Sequence, residues 1–278
     1  SLVCKVISMP TISVEQSLLR DLVESKGRVH DIEDLAFRLP LMGTDIDRCD
    51  SEILDIEIFP DRPDLLSAET LFHSMMPFMH NSPASPRLLV NPGTVSMKVS
   101  LDLANIRPVI LGAIVRGVDV DDALIKRLME HQEKLHFALG RGRKRASIGV
   151  HDLSKISPPF RVEAVARNHS FIPLAMDEEM TIEEILESHP KGIDYAHLLD
   201  GMEKVTIILD SDNSVLSFPP IINGDHTTVT TETRDIFIDV TGLDVRACES
   251  ALMLICLQLS VLGGKIESVR VTTCEGKE

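Results

Sequence analysis

The sequence predicts an α+β fold of mixed α/β character, with a small first module followed by a larger domain built on a mixed sheet. Three observations carry this. Apolar residues recur at helical spacing in some segments and alternate with period two in others, and the two patterns intermix along the chain. Strand-like segments outnumber helical ones in the later part. Between the two parts lies NSPASPRLLVNPG (Asn81–Gly93), which has three prolines, little periodicity and the composition of a linker. The expected boundaries are 1–85 for the first module and 92–278 for the second.

In the first module Val14, Leu18, Leu19, Leu22 and Val23 share a helical face, which predicts a helix from Glu15 to Val23 with Ser13 as its cap. Ile32 to Leu39 reads as a second short helix, and Ile53–Ile58 alternates as a half-buried strand. Asp61-Arg62-Pro63-Asp64 then places proline in a first helical turn with acids at its positive end, which predicts a helix from Pro63 to about Met76.

Beyond the linker, strands are expected near Ser96–Leu101, Val109–Val118, Ala146–Val150, Phe160–Val165 and Val205–Leu209. A helix is expected from Asp121 to Leu139. Asp212-Asn213-Ser214 makes a hairpin turn into Val215-Leu216, and Asp244–Leu262 reads as an amphipathic helix stopped by Gly263-Gly264. A last strand, Ile266–Thr272, completes what reads as one irregular sheet with helices. No internal repeat is visible, which removes solenoids and propellers.

With 278 residues, 44% of them hydrophobic, the chain has the composition of a soluble globular protein with one large core or two modest ones. Its net charge of −15 opposes non-specific nucleic-acid binding, because phosphate contacts need clustered Lys and Arg. A nucleic-acid partner therefore needs a local basic patch or another subunit. Cys4, Cys49, Cys248, Cys256 and Cys274 are scattered without a CxxC pair, which argues against a disulfide framework or zinc ribbon and fits a reducing cytoplasm. No apolar run approaches the roughly 20 residues of a spanning helix, since Ala251–Leu257 is broken by Gln258. Ser1–Ser8 lacks the apolar core and cleavage site of a secretory signal.

The stretch with the most chemistry is LSFPPIINGDHTTVTTETRDIFIDVTG (Leu216–Gly242). Pro219 and Pro220 fix two backbone angles and remove two donors, so the chain is expected to leave its strand near Phe218 and run extended into Ile221-Ile222. Asn223-Gly224-Asp225-His226 has turn chemistry, and Ile236-Phe237-Ile238 resumes a buried strand that carries Asp239 and Thr241. These polar residues either satisfy turn backbone or converge on a site.

Arg141, Arg143, Lys144 and Arg145 form the one dense basic cluster. It reads equally as a phosphate grip, with Gly140 and Gly142 allowing close approach, or as a solvated loop. The dinucleotide fingerprint fails there because the loop leads into a strand. His131 and His136 fall on different faces of their helix, unlike zinc-binding i, i+4 histidines, and read as surface or packing residues. A hydrolase could use the pair His151-Asp152 beside Ser147, but no GxSxG elbow exists, and Asp152 reads as the cap of the turn ahead of Leu153–Ile156. No P-loop, HExxH or EF-hand pattern occurs, and no metal is expected.

Three motifs, FPDRPDLLSAE (Phe59–Glu69), HQEKLHFALGRGRKRASIGVHDL with PPF following (His131–Leu153, Pro158–Phe160), and the 216–242 stretch, resemble the phenylalanyl-tRNA synthetase β-subunit family of archaeal and eukaryotic type. The third is highly specific, and order and spacing agree. The resemblance implies an N-terminal module followed by the editing domain, with the family's later modules missing from this sequence. It also implies partners: the acceptor end of tRNA(Phe), and the α subunit in a heterotetramer of two α and two β chains. ATP and Mg2+ would serve the full enzyme, with no cofactor in this part.

In the family this domain hydrolyses tyrosine wrongly esterified to tRNA(Phe). By motif match the resemblance carries catalytic roles to Asn223, His226, Asp239 and Thr241, and pocket-lining roles to Ser217, Pro220, Gly242 and Leu209. It leaves open whether Asp239 or Ser217 reads the tyrosyl hydroxyl, and backbone N–H groups around Asn223–Asp225 are candidate oxyanion donors. The tRNA-binding expectation falls on Arg141, Arg143, Lys144 and Arg145. The rival reading is a non-catalytic module that docks tRNA or scaffolds its partner subunit.

Overall fold

Three antiparallel strands open the chain, Thr11–Glu15 (β1) and Thr44–Cys49 (β2) flanking Ile53–Ile58 (β3), whose period-two alternation sends Leu54, Ile56 and Ile58 into the core. The computed structural model describes residues 9–82 and 88–272; Ser1–Ser8 with Cys4, the linker residues 83–87, and Cys274 lie outside the described residues. Helices Gln16–Glu24 (α1) and Ile32–Arg38 (α2) connect β1 to β2, and Asp31 caps α2 by accepting from the Glu33 and Asp34 N–H groups. Ser13 does not cap α1, because it is committed to β1 opposite Asp55.

The helix expected from Pro63 starts later. Pro63–Leu65 forms a single 3-10 turn, and Ala68–His80 (α3) follows under a reciprocal cap: Ser67 Oγ accepts from Thr70 N–H at 3.2 Å and Thr70 Oγ1 from Ser67 N–H at 3.3 Å. Two satisfied orphan donors at Ser67 outweigh the proline signal upstream.

The larger part holds two main sheets and a two-stranded one, Ser170–Phe171 with Met180–Thr181, instead of the single sheet expected. In chain order it runs Val90–Asn91 (β4), Ser96–Val99 (β5), Val109–Arg116 (β6), Asp122–Ala138 (α4), Ala146–Asp152 (β7), Phe160–Ala166 (β8), Ser170–Phe171 (β9), Met180–Thr181 (β10), Ile182–Ser188 (α5), Pro190–Tyr195 (α6), Lys204–Leu209 (β11), Val215–Phe218 (β12), Ile222–Asn223 (β13), Ile236–Gly242 (β14), Val245–Val261 (α7), Lys265–Ser268 (β15) and Arg270–Thr272 (β16). The five-stranded sheet has the order β4-β15-β6-β14-β7 and the six-stranded sheet β13-β12-β11-β8-β5-β16. The strand expected over Ile266–Thr272 divides at Val269, β15 pairing with β6 and β16 with β5, so one extended segment stitches the two sheets together.

Between the sheets lies a core of Met97, Ile114, Phe160, Ile208, Leu216 and Phe237. On the outer face of the five-stranded sheet, α7 packs on Ile236, Ile238 and Val240 with one side and on α3 with the other. A helix buried on both sides needs apolar residues nearly all round, as Ala247, Ala251, Leu254, Ile255 and Leu259 supply.

One polar chain crosses this helical layer. Glu69 on α3 is fully buried; its Oε1 accepts from Arg127 Nε of α4 at 2.8 Å and its Oε2 from Gln258 Nε2 of α7 at 3.0 Å. Gln258 Oε1 in turn lies 2.8 Å from His131 Nδ1 on α4. Each member is held by the next, which is what makes burial of the charge tolerable.

Burial, partly opposed by the Gln258 bond and the Glu69 charge, pushes the pKa of His131 from 6.5 down to about 4. The unfolded chain takes up the proton that the native state refuses, so stability is full above about pH 6.5 and is lost as pH falls toward 4. Over that interval the wild type should lose up to about 3 kcal/mol more than His131→Gln, read from urea midpoints at a series of pH values; parallel curves would contradict it.

Candidate functional site

β7 is the outer strand of its sheet, and β13 is the outer strand of the other. An outer strand presents unpaired backbone groups, and along β7 three of them are met by side chains. His136 Nε2 accepts from the Ile148 N–H at 2.8 Å, and Gln132 Nε2 donates to the Ile148 carbonyl at 2.6 Å, both from α4. From the other sheet Asn223 Nδ2 reaches the Val150 carbonyl at 3.4 Å. Between the edges and α4 remains a cavity of about 290 Å³, near the small end of ligand pockets.

The turn that closes it is tighter than expected from two prolines. Phe218 C=O accepts from the Ile221 N–H at 2.8 Å, and Ile222-Asn223 folds back antiparallel on Phe218-Ser217. Pairing with β12 wins over continued extension because it satisfies the backbone on both sides of the turn.

The floor is built by register. Ser147, Gly149 and His151 of β7 lie opposite Thr241, Asp239 and Phe237 of β14, on one face of the pleat. Asp239 folds its carboxylate over Gly149, where a Cβ would fall 2.0 Å from Asp239 Oδ2. That oxygen hydrogen-bonds His151 Nε2 at 2.7 Å, and His151 Nδ1 lies 2.8 Å from Thr227 Oγ1. Asp239 Oδ1 has no partner among the described residues, and Asp239 lines the cavity.

Of the residues singled out in the sequence, Asp239, Asn223, Ser217, Pro220, Arg143, Ser147 and His136 line the cavity. The remaining expected site residues do not. Thr241 is fully buried on the same face two residues beyond Asp239, where it accepts from Arg107; His226 is exposed on the turn Asp225–Thr227; and Leu209 belongs to the core beyond β12, with Phe218 and Ile185. Gly242 does permit a close approach, but to the chain itself: a Cβ there would lie 2.1 Å from the Arg145 carbonyl oxygen and 2.5 Å from Cys248 Sγ. The Gly224 and Asp225 N–H groups are spent on the Leu216 and Ile172 carbonyls, so they are not free oxyanion donors.

The basic cluster also separates. Arg143 is buried, donating to the Ile221 carbonyl at 2.8 Å and to Glu133 Oε1 at 2.5 Å, with its guanidinium 4.4 Å from the Tyr195 ring centre. Arg145 pairs with Asp244, the cap of α7. Only Arg141 and Lys144 of the four remain exposed.

Sequence reasoning missed the joint roles of His136, Gln132 and Arg107. His136 fell under packing or surface, and it is buried against the β7 edge, while Arg107 sits alone in the sequence with no pattern to mark it. The pairing of His151 with Asp239 instead of its neighbour was likewise invisible. Asp152 does cap its turn, accepting from the Ser154 N–H at 2.9 Å. Among the described residues no group of three or more His, Cys, Asp or Glu side chains is placed to hold a metal ion, and no helix is long and apolar enough to cross a membrane.

Comparison with known proteins shows the family of the chain. Residues 111–254, about half of the chain, match the B3/4 domain family. The phenylalanine–tRNA ligase β subunit of Methanococcoides burtonii is 44% identical over 97% of this chain and 49% of its own length. That of Methanosarcina acetivorans is 46% identical over 97% of this chain and 48% of its own. The chain thus spans about half the length of these relatives. The crystal structure of an N-terminal fragment of the phenylalanyl-tRNA synthetase β subunit from Pyrococcus horikoshii superposes with a TM-score of 0.86 at 35% identity, covering 94% of this chain and 76% of that one. The chain therefore belongs to the archaeal-type phenylalanyl-tRNA synthetase β-subunit family, and its cavity lies within the B3/4 domain.

Proposed function

We propose that the cavity receives the amino acid of a misacylated tRNA and directs hydrolysis of its ester, removing tyrosine from tRNA(Phe). The observation that carries the reading is a small, largely apolar pocket with one unpartnered carboxylate oxygen, that of Asp239, on its floor. Tyrosine and phenylalanine differ by one hydroxyl. A hydrophobic synthetic pocket rejects an added hydroxyl only weakly, whereas a pocket built to hydrogen-bond it disfavours its absence by roughly 10⁴–10⁵-fold. A second, polar site supplies the missing discrimination.

The chemistry asks for water and an oxyanion donor. Ser147 is bonded to Arg107 and Thr241 and has no histidine beside it, which favours direct attack by water over an acyl-enzyme. Water oxygen adds to the ester carbonyl, the negative charge gathers on the former carbonyl oxygen, and the terminal ribose hydroxyl leaves with a proton. The Val150 N–H supports this. Its C=O points off the open edge of β7 to Asn223, and in an antiparallel ladder the N–H of the same residue points the same way, toward the cavity that Val150 lines. A donor so placed contributes about 2.7–4 kcal/mol to the transition state in comparable sites.

In this reading Asn223 holds the two sheet edges in register, and His226, on the exposed turn, meets the nucleic acid instead of the reacting ester. Synthesis of aminoacyl-tRNA, with its ATP, Mg2+ and phenylalanine, belongs to the complete cytoplasmic enzyme with its α subunit, as a heterotetramer, and is assigned to no residue of this chain.

This chain alone should release tyrosine from Tyr-tRNA(Phe) faster than phenylalanine from Phe-tRNA(Phe), and Asp239→Ala should lower the tyrosine rate by about 100-fold or more while the circular dichroism spectrum is kept. Silence on both esters with tRNA binding intact would leave only a docking or scaffolding module. Replacing the exposed pair, Arg141→Ala with Lys144→Ala, should weaken tRNA binding and reduce the slope of log K against log salt by about 1–2. An unchanged slope would return that loop to ordinary surface.

A further inference from the structure

On the α4 side of the cavity three donor side chains converge on one carboxylate oxygen. Glu133 Oε1 lies 2.5 Å from Arg143 Nη2, 3.6 Å from His136 Nδ1 and 3.7 Å from Lys191 Nζ, and all four residues line the cavity. Only the first of these distances is a hydrogen bond. The Glu133 and Lys191 side chains are 47% and 43% exposed, so this side opens to solvent, whereas Asp239 on the floor is enclosed.

The protonation of His136 is fixed by its other nitrogen. Nε2 accepts from the Ile148 N–H and so carries no proton, which in the neutral ring places the proton on Nδ1. A second proton would cost the Ile148 bond, and burial, partly opposed by Glu133, holds the pKa of His136 below 6.5. Nδ1 is therefore a fixed donor, buried and without a hydrogen-bond partner among the described residues.

Arg143 offers another. Its Nη1 is spent on the Ile221 and Pro220 carbonyls and its Nη2 on Glu133, which leaves Nε, also buried, unpaired among the described residues. Nε–H and Nη2–H form the fork with which a guanidinium grips two oxygens of one anion, and Glu133 fills a single prong. Two buried donors without partners are a standing cost that an entering acceptor removes. Arg143 and Lys191 against Glu133 leave an excess of one positive charge, so the acceptor that suits them is anionic, and an ammonium group offers them nothing.

We propose that His136, Arg143 and Lys191 form an oxyanion-binding subsite at the mouth of the cavity, Glu133 Oε1 standing where a ligand oxygen is held, and that its ligand is the phosphate of the nucleotide bearing the ester. This rests on the reading of the cavity as the site of an aminoacyl ester. Along β7, Ile148, which His136 caps, and Val150, whose N–H is assigned to the ester carbonyl, lie about 7 Å apart. One ribose spans such a gap between its ester and its phosphate. The carboxylate of a released amino acid has the same chemistry but arises at the ester carbonyl itself, two residues away along the edge.

The test is calorimetric titration of the chain with adenosine 5′-monophosphate and adenosine, and with L-tyrosine and L-tyrosinamide, for the wild type, Lys191→Met and Glu133→Gln. In the wild type the nucleotide should bind at least about 10-fold tighter than the nucleoside, and Lys191→Met should reduce that ratio about fivefold. Glu133→Gln, which removes the competing carboxylate, should raise nucleotide affinity about threefold; a purely structural Glu133 gives the opposite sign. Where Glu133→Gln does not fold, the ratio in Lys191→Met decides. The nucleotide should also shift the proton resonance of His136 Nδ1, which the nucleoside leaves in place. Equal affinity for nucleotide and nucleoside, or an unchanged ratio in Lys191→Met, overturns the inference even where the tyrosyl ester is hydrolysed selectively. A preference confined to L-tyrosine over its amide, and lost in Lys191→Met, gives these donors to the carboxylate of the released amino acid and overturns it as well. A phosphate preference that depends on Lys191 supports it even where neither ester is hydrolysed.

Discussion

The open edge of β7 is the constraint on which the rest of the site depends. A strand buried at a sheet edge needs partners for most of its outward N–H and C=O groups, and a further strand would have filled the space with backbone. Here the partners are side chains, His136 and Gln132 from α4 and Asn223 from the opposite sheet. Side chains satisfy the backbone at points and leave a gap between the points, and the cavity is that gap. The turn after Phe218 brings Asn223 within reach and walls the far side with Pro220 and Ile221.

Within the gap, most polar atoms are committed to one another. Ser217 and Asn223 are bonded together, His151 is held between Asp239 and Thr227, and Arg143 is fixed to Glu133 and the Ile221 carbonyl. Such mutual satisfaction holds the walls rigid and leaves few groups free to meet a ligand. Asp239 Oδ1, His136 Nδ1 and Arg143 Nε are left without hydrogen-bond partners among the described residues. Selectivity in so small a space needs few contacts, provided that each is held in place by neighbours that do not themselves touch the ligand.

α4 ties this site to the first module. Its His136 and Gln132 face β7, while its Arg127 and His131 join the buried chain through Gln258 to Glu69 on α3. The proline-rich segment marks a change of composition, yet α3 and α7 share one continuous core. The wall of the cavity and the first module therefore rest on the same helix, and the position of that helix is fixed from both sides.

Sequence alone determined the mixed α+β character, most strands and helices, the starts of the helices at Asp121 and Asp244, and the segment from which much of the cavity is made. These are local properties, set by side-chain period and by which residue completes a helix end. The split of the last strand at Val269, the number of sheets, and the start of α3 at Ser67 were decided by longer pairings or by competing caps. The division among polar residues was decided by tertiary structure as well. Asp239 and Thr241 look equivalent two residues apart, but one meets the cavity and the other meets Arg107. Arg143 looks like its basic neighbours and is buried against Tyr195 and Glu133, whereas Arg141, with the same left-handed backbone, is exposed. Sequence spacing states which face of a strand or helix a residue occupies; which atoms wait on the other side of that face is known only when distant segments have packed.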